Sequence, residues 1–297
     1  MTKKEFFMEK YRQLADAYVQ KHNDFFISPA TQRLDPFKIA DNLYYVGDKK
    51  VCIHLIDTGD GLILIDSGYL GATHLLVDNI WRAGFDPKNV RWIIHTHGHN
   101  DHFGASQEFR VMYGTKLAIS RVDAEILKEK PHLFINKNKY PMAEVPTFDY
   151  EIEDGEIFEH GKVKIRCVLC PGHTDGVLSL FFDVTDNGKT YLAGTFGGAG
   201  TDAVTLPYIY RNERSEDAPQ QLLNSIERIW NEPVEVHLGN HPYNNWTLEK
   251  RAKQIEEGGN PFIAPDSWHK FLGELKTKVE KVIAENEKLE QEFLALG

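Results

Sequence analysis

The sequence predicts an α+β fold organised as one domain. Strand-like runs cluster in two stretches, Phe37 to Asp66 and residues 163–194, and segments with helical periodicity follow each cluster. Runs bounded by Gly and Pro turns indicate strands, whereas apolar residues at three- to four-residue intervals indicate helices. No linker or low-complexity tract divides the chain. We therefore expect a single domain over residues 1–297, with an N-terminal helical extension over residues 1–35.

The N-terminal extension carries one amphipathic pattern. A helix is predicted over residues 4–26, with apolar side chains spaced along one face at Phe7, Tyr11, Leu14, Tyr18 and Val19. We interpret it as a helix packed on the domain surface. A dimer contact, which would make the protein a homo-oligomer, and a cover over the active site are the open alternatives.

The remaining elements alternate between strands and helices. The predicted strands are Phe37 to Val46, Val51 to Asp57, Leu62 to Asp66, Arg91 to Ile94, Thr115 to Ser120 and residues 163–170, 177–184, 189–194 and 234–238. The predicted helices are residues 71–84, 102–113, 122–130, 216–231, 247–257 and 266–294. Residues 131–150 show little periodicity, so we expect an irregular loop, which in a compact domain is usually functional or mobile.

The composition excludes several classes of function. The chain has 297 residues, 41% of them hydrophobic, which is enough to bury a large core. Its net charge of -10 argues against binding to nucleic acid or to an anionic membrane surface. No apolar run reaches the roughly 18 residues of a spanning helix, and Glu9, Lys10 and Arg12 interrupt any secretory signal. We expect a cytoplasmic protein, or an exported one whose signal has been removed; the charge says nothing about a small-molecule substrate.

The three cysteines do not form a metal site by themselves. Cys52, Cys167 and Cys170 all lie in apolar, strand-like stretches. The last two have CxxC spacing, but no second pair completes a zinc ribbon, and alternation along a strand points them to opposite faces. We interpret all three as buried and reduced, which suits a reducing compartment.

Metal-binding side chains are concentrated directly after the predicted strand that ends at Ile94. His97, His99, Asp101 and His102 follow within eight residues of it. Crowded histidines repel one another when protonated, and a metal ion relieves this by binding the neutral rings. His97 and His99 are two residues apart and can reach one ion from a tight turn, whereas Asp101 and His102 point towards a second. This spacing predicts a dinuclear site.

Two more ligands are expected, because a catalytic zinc typically takes three protein ligands and keeps one open position. His173 and His241 each follow a predicted strand, and neighbouring Gly and Pro residues fix the backbone there. His95 is expected within its strand, with support of the site as the alternative. The other histidines are expected on the surface or in the core, namely His22, His54, His74, His132, His160, His237 and His269.

Asp66 is a candidate for supporting the site without binding metal. It lies where a predicted strand meets the turn Ser67-Gly68. A carboxylate in such a place often hydrogen-bonds a histidine ligand. A simple turn cap is the alternative interpretation.

The motif HxHxDH at residues 97–102, followed by Pro-Gly-His-Thr at residues 171–174, resembles the signature of the metallo-β-lactamase superfamily. The likeness runs from about Pro36 to the last helix. It implies a four-layer αββα sandwich with the metals at one end of the two sheets.

One departure narrows the resemblance. Most hydrolytic members place a bridging Asp where this chain has Thr195, and this disfavours glyoxalase-type, lactonase-type and phosphodiesterase-type members. Flavodiiron members usually have Glu where His99 stands. The subclass of true β-lactamases that lacks the bridge is most similar, and it commonly has a serine near this position. Residues 37–47, 240–242 and 260–262 also look like that subclass.

The similar subclass implies two ions of Zn²⁺. Its ligand sets correspond to His97, His99 and His173 for one ion, and to Asp101, His102 and His241 for the other. The implied chemistry is attack of a metal-bound hydroxide on a carbonyl. Asp101 would orient the hydroxide and relay its proton, and Thr195 would hydrogen-bond the hydroxide or a metal ligand.

We therefore expect a zinc-dependent hydrolase of a cyclic, β-lactam-like amide. The alternatives are a metallohydrolase of a lactone, thioester or linear amide, an iron-loaded redox member, and a non-catalytic binding protein. Residues 131–146 and 198–214 are candidates for the walls that select the substrate. Aromatic side chains available for apolar contact are Phe134, Tyr208, Tyr210 and Tyr243.

Overall fold

Two β-sheets form the centre of the molecule. The computed structural model describes residues 1–14, 29–135 and 143–296. The first sheet contains, in spatial order, β1 (Phe37–Ala40), β2 (Leu43–Tyr45), β3 (His54–Asp57), β4 (Leu62–Ile65), β5 (Val90–Ile94), β6 (Lys116–Ser120) and β7 (Tyr150–Ile152). The second sheet contains β8 (Ile157–His160), β9 (Val163–Leu169), β10 (Leu178–Asp186), β11 (Lys189–Thr195) and β12 (Val236–Leu238), with β8 and β12 at its edges.

Helices cover the outer face of each sheet. They are α1 (residues 3–14), α2 (Thr73–Arg82), α3 (Ser106–Tyr113), α4 (Arg121–Glu129), α5 (Leu206–Arg211), α6 (Ala218–Arg228), α7 (Thr247–Glu257) and α8 (Asp266–Leu294). None of the described helices is both long and apolar enough to cross a membrane.

The layers follow from alternation of side chains along the strands. In β4, Ile63 and Ile65 belong to a buried cluster shared with the second sheet, whereas Leu62 and Leu64 belong to one shared with α2 and α3. Successive side chains of a strand point to opposite faces, so β4 is buried on both sides. A third cluster joins the second sheet to α6 and α8. The expected four-layer αββα arrangement is confirmed.

Several predicted elements need correction. The run Phe37 to Val46 is two antiparallel strands, because Asp41 and Asn42 form a turn between β1 and β2. The helix expected from His102 begins only at Ser106, since the residues before it form the histidine loop. The strands β7 and β8 and the short helix α5 were not predicted.

The N-terminal helix packs on the chain's own helices. Phe6 and Phe7 are buried with Leu206 in a cluster that also contacts Tyr210 and Phe293. This agrees with a helix that packs on the domain surface, for residues 3–14. The rest of the predicted helix, residues 15–26, lies outside the described residues, and a role in oligomer formation stays a prediction.

The cysteine interpretation is confirmed. All three cysteines are free and buried. Cys167 packs between the two sheets, whereas Cys170 packs with the helices on the outer face of the second sheet. The CxxC pair therefore points to opposite faces, as strand alternation requires.

Candidate metal centre

The candidate ligands lie on three loops at one end of the two sheets. The loop after β5 carries the first motif, the loop after β9 carries His173, and the loop after β12 carries His241. The backbone N–H of Leu178 donates to the carbonyl of Thr96 at 2.8 Å, which joins the first loop to the second sheet. The fold thus brings together three distant parts of the chain.

The six candidate ligands form two groups. In each group the potential ligand atoms lie within 4.8 Å of one another. One group is His97, His99 and His173, and the other is Asp101, His102 and His241. The groups adjoin, because the ring centroids of His97 and His102 are 4.2 Å apart. These are the same groups that the sequence predicted.

In the first group, one nitrogen of each ring faces inward and the other has an outer partner. Nε2 of His97 and Nδ1 of His99 face each other at 3.1 Å. The outer Nδ1 of His97 is 3.1 Å from the hydroxyl of Thr96, and the outer Nε2 of His99 is 3.0 Å from the hydroxyl of Tyr208. An outer hydrogen bond fixes the tautomer that leaves the inner nitrogen free to bind a metal.

His173 completes that group in the same way. Its Nδ1–H donates to the backbone carbonyl of Gly200 at 2.7 Å, so Nε2 is the nitrogen left for the centre. The rings of His97 and His99 lie edge-on to it, with centroid distances of 4.8 Å and 4.6 Å.

The second group shows the same division of roles. Nε2 of His102 and of His241 lie 3.5 Å and 3.6 Å from the Asp101 carboxylate. The outer Nδ1–H of His102 donates to Asp66 at 2.8 Å, and that of His241 donates to the backbone carbonyl of Lys50 at 2.6 Å. The inner Nε2 of His102 is buried and has no hydrogen-bond partner.

These donors fit divalent metal ions. A buried nitrogen without a partner is costly unless a ligand binds it. Imidazole and carboxylate donors in sets of three, each set leaving room for a further ligand, are the chemistry of catalytic zinc. The donors therefore fit the predicted ligand sets.

The electrostatics favour neutral histidines in the first group and an ionised Asp101. Burial, and then the neighbouring histidines, hold the pKa values of His97 and His99 well below the usual range. Burial lowers the pKa of His173 to about 4, although the nearby Asp202 opposes this.

For Asp101, burial raises the pKa, but the surrounding histidines outweigh it and the net pKa is lowered. For His102, burial lowers the pKa, but Asp101 and Asp66 outweigh it and the net pKa is raised. Neutral rings and a carboxylate are the protonation states that bind metal.

Asp66 supports both groups. Its carboxylate accepts hydrogen bonds from the backbone N–H of Thr96 at 2.7 Å, from the Thr96 hydroxyl at 2.8 Å and from His102. Because the Thr96 hydroxyl donates to Asp66, its oxygen is left to accept from His97. Asp66 has φ of +63°, an uncommon conformation for a residue with a side chain. The alternative of a simple turn cap is wrong.

Asp123 is a supporting residue that the sequence did not reveal. Its buried carboxylate accepts hydrogen bonds from the N–H of Gly98 at 2.7 Å, the N–H of Gly176 at 2.8 Å and the hydroxyl of Thr174 at 2.8 Å. Burial raises its pKa to about 6, although these hydrogen bonds act in the opposite direction. It ties the loop of His97 and His99 to the loop of His173.

Arg214 is a second unpredicted support. Its guanidinium donates to the backbone carbonyls of Gly172, His173 and Ala203, at 2.7, 2.8 and 3.1 Å. It also donates to the carboxylate of Asp175 at 2.8 Å. Five N–H donors in a rigid fork suit this role, and they hold the His173 loop against the loop before α5.

A cavity of about 590 Å³ opens over the two groups. Four of its lining residues are aromatic, namely Tyr69, Phe134, Tyr208 and Tyr243. Three of these four were among the predicted wall residues. Tyr210 does not line this cavity, because its ring stacks on Phe7 at 4.9 Å.

Comparison with known proteins places this centre in a family. A model of the metallo-β-lactamase superfamily matches residues 47–268, most of the chain. The chain belongs to the metallo-β-lactamase superfamily. The match includes all six candidate ligands, and the resemblance drawn from the sequence is confirmed.

Individual members of the superfamily share about a quarter of their aligned residues with this chain. BJP-1, a subclass B3 metallo-β-lactamase of Bradyrhizobium japonicum, superposes with a TM-score of 0.78 at 25% identity, over 87% of this chain and 97% of that one. A β-lactamase hydrolase-like protein of Xylella fastidiosa is 26% identical over 186 residues, 59% of this chain and only 39% of that protein. An N-acyl homoserine lactonase of Bacillus thuringiensis is 24% identical over 211 residues, 60% of this chain and 74% of the lactonase.

The bridging position of the superfamily carries no carboxylate here. Thr195 ends β11 and is buried. Among the described residues, no hydrogen bond joins the Thr195 side chain to a candidate ligand, so its predicted role stays a prediction. His95 also lies apart from the ligands. Its ring hydrogen-bonds the carbonyl of Ala118 and the hydroxyl of Ser106, at 2.8 and 2.6 Å.

Among the described residues, the other predicted non-ligand histidines do not join the two groups. His54 and His237 are buried in the core. His74 is exposed on α2. His22 lies outside the described residues.

Proposed function

We propose that this chain is a dinuclear zinc hydrolase that opens a strained cyclic amide of the β-lactam kind. The observation that carries the proposal is the pair of adjoining groups in which every outer histidine nitrogen is hydrogen-bonded and the inner atoms converge. His97, His99 and His173 would hold one ion, and Asp101, His102 and His241 the other.

The chain's own residues supply orientation and proton handling. When bound, two such metal ions would polarise a carbonyl and supply an ionised water at neutral pH. Asp101 is the ligand carboxylate that faces the open cavity, and its lowered pKa keeps it ionised. Asp66 orients the ring of His102 by a direct hydrogen bond. It orients the ring of His97 through Thr96, whose backbone N–H and hydroxyl both donate to Asp66.

Two observations support a cyclic amide as substrate. The site has a three-histidine set and an Asp-His-His set, with Thr195 where a bridging carboxylate would stand. The fold also matches a subclass B3 metallo-β-lactamase over 97% of that protein. Amide hydrolysis must expel an amine, which is a poor leaving group until its nitrogen is protonated. Asp101 would pass the proton to that nitrogen.

A lactone is the second candidate. The similarity to N-acyl homoserine lactonases, over 74% of their length, favours it. Ester hydrolysis needs the same polarised carbonyl and the same water. It places less demand on proton transfer, because an alkoxide leaves more easily than an amine anion.

The decisive experiment is a hydrolysis screen with purified protein supplied with two equivalents of zinc. Chromogenic β-lactams, lactones and thioesters would be compared with and without a chelator. We expect chelator-sensitive opening of the cyclic amide, and metal analysis showing two zinc ions per chain. Iron in place of zinc would favour the redox alternative.

His97→Ala and His241→Ala variants test the ligand sets separately. Each should lose about one metal equivalent and most of the activity, because each removes one of three protein ligands. His74→Ala is the matched control, since that histidine is exposed on α2. Full metal content in both ligand variants would contradict the proposal, and chelator-insensitive turnover would do the same.

A further inference from the structure

The cavity over the metal groups is lined by carboxylates and aromatic rings. Asp101 and Asp202 contribute the charged side chains, and no Lys or Arg is among the described residues that line it. The aromatic walls are Tyr69, Phe134, Tyr208 and Tyr243. Asp101 is one of the candidate ligands, so Asp202 is the carboxylate left to interact with a substrate.

Asp202 lies beside the first metal group. It follows Gly200, in the 3₁₀ turn Thr201–Val204 after β11. A Cβ atom built on Gly200 would lie 2.8 Å from Cε1 of His173 and 2.9 Å from Oδ1 of Asp202. Both groups therefore border the same small space at the edge of the cavity.

Two of the nearby cations, Arg214 and Lys130, are engaged elsewhere. Arg214 donates to three backbone carbonyls and to Asp175. Lys130 pairs with Glu213 at 3.2 Å. Lys278 and Glu274 border an adjoining cavity of about 260 Å³ that Asp202 also lines. No ion pair among the described residues involves Asp202.

We infer that this cavity selects substrates whose non-reacting arm carries a positive charge, such as an ammonium group, and disfavours those with a carboxylate arm. A carboxylate together with aromatic faces is the chemistry that binds ammonium groups. A substrate carboxylate would instead approach Asp202 with no Lys or Arg among the described wall residues to pair with. The inference rests on the proposed function, because it names the substrate class of the same site.

The test uses small thiols with the same two-carbon arm and end groups of different charge. 2-Aminoethanethiol, 2-mercaptoethanol and 3-mercaptopropionate carry a positive, a neutral and a negative arm. In cobalt-substituted protein, thiolate coordination produces a charge-transfer band, so dissociation constants are measured without turnover. Asp202→Asn removes the charge with little change of shape. Asp60→Asn is the control, since Asp60 lies in the exposed turn between β3 and β4, away from the candidate ligands.

We expect Asp202→Asn to weaken binding of the cationic thiol by about three- to tenfold. Binding of the neutral thiol should be unchanged, and binding of the anionic thiol should become tighter. Asp60→Asn should change none of them. Equal effects of Asp202→Asn on all three thiols would overturn the inference. So would a wild-type preference for the anionic thiol that Asp202→Asn leaves unaltered.

A second probe separates this inference from the proposed function. Metal-free protein is titrated by NMR with phenethylammonium and with phenethyl alcohol. The cation should bind more tightly, and Asp202→Asn should reduce the difference, whereas Asp101 keeps its charge. If cobalt does not bind, the proposed function fails, yet this titration still decides the role of Asp202. No difference between the two ligands in wild-type protein would overturn the inference.

Discussion

The carboxylate of Asp123 accepts a hydrogen bond from the backbone N–H of Gly98, with 2.7 Å between Oδ2 and N. Gly98 stands between His97 and His99, so Asp123 fixes the loop at the point where both ligands leave it. The same oxygen accepts from the hydroxyl of Thr174, directly after His173. One side chain from α4 therefore sets the distance between the two loops of the first metal group.

Asp123→Ala should weaken metal binding at the first group by about tenfold or more, because loss of such supporting hydrogen bonds typically costs that much affinity. The second group should change less, since Asp66 supports His102 independently. Competition with a chromogenic chelator measures the two affinities. Glu125→Ala is the control, an exposed carboxylate on the same helix. Equal loss at both groups would indicate general unfolding instead.

Tyr208→Phe should weaken metal binding at the first group by a smaller factor than Asp123→Ala does. The change removes only the hydroxyl that pairs with Nε2 of His99 and keeps the ring that lines the cavity. One lost hydrogen bond corresponds to about two- to tenfold in affinity. Tyr210→Phe is the matched control, because its hydroxyl pairs with Glu216 and not with a ligand. An effect of Tyr210→Phe as large as that of Tyr208→Phe would contradict this role.

The ligand groups were predictable because their signal is local. His97, His99, Asp101 and His102 share one loop, and their spacing alone allows two ions. His173 and His241 could be added because each follows a strand and is flanked by Gly or Pro. Asp66 was predictable for the same reason, as a carboxylate at the end of a strand.

Asp123 and Arg214 were not predictable, because their role depends on contacts between distant parts of the chain. Asp123 bonds to Gly176, 53 residues away, and in the sequence it resembles an ordinary acidic residue in the first turn of a helix. Arg214 bonds mainly to backbone carbonyls, which have no sequence signature.

The missed elements are short. β7 and β8 have three and four residues, and α5 has six, too few for a periodic pattern to show. By contrast, α8 spans 29 residues and its predicted bounds agree with the structure. Their shortness left these three elements without a periodic signal.

Thr195→Val should lower kcat by about two- to tenfold while metal content stays at the wild-type value, if the hydroxyl acts on the nucleophile or on a ligand. Valine keeps the shape of threonine at this buried position, so folding should be affected little. Steady-state kinetics and metal analysis on the same samples measure both quantities. Unchanged kinetics would exclude a catalytic role for Thr195, and lost metal would assign it to ligand support.

Three buried histidines outside the candidate ligands should make the metal-free protein less stable in acid. Burial lowers the pKa values of His54 and His95 to about 4 and that of His237 well below its usual range. In the unfolded chain these groups titrate near pH 6.5. Between about pH 6.5 and 4 the unfolded state therefore binds more protons. Stability should be fully present above that window and fall with decreasing pH, by up to about 1.4 kcal/mol per pH unit for each histidine.

His54→Gln isolates one of these groups. Its Nε2 is buried without a hydrogen-bond partner, so no acceptor among the described residues bonds to a proton added there. The free energy of unfolding in urea would be measured at pH 7.5 and at pH 5.5, with chelator present. The loss on acidification should be smaller in His54→Gln than in wild type, whatever the change at pH 7.5. His74→Gln, at an exposed position, should keep the wild-type slope. An identical slope in His54→Gln would show that this histidine does not remain neutral in the folded protein. Asp123 contributes with the opposite sign, since its pKa is raised to about 6, but it does so equally in all three proteins.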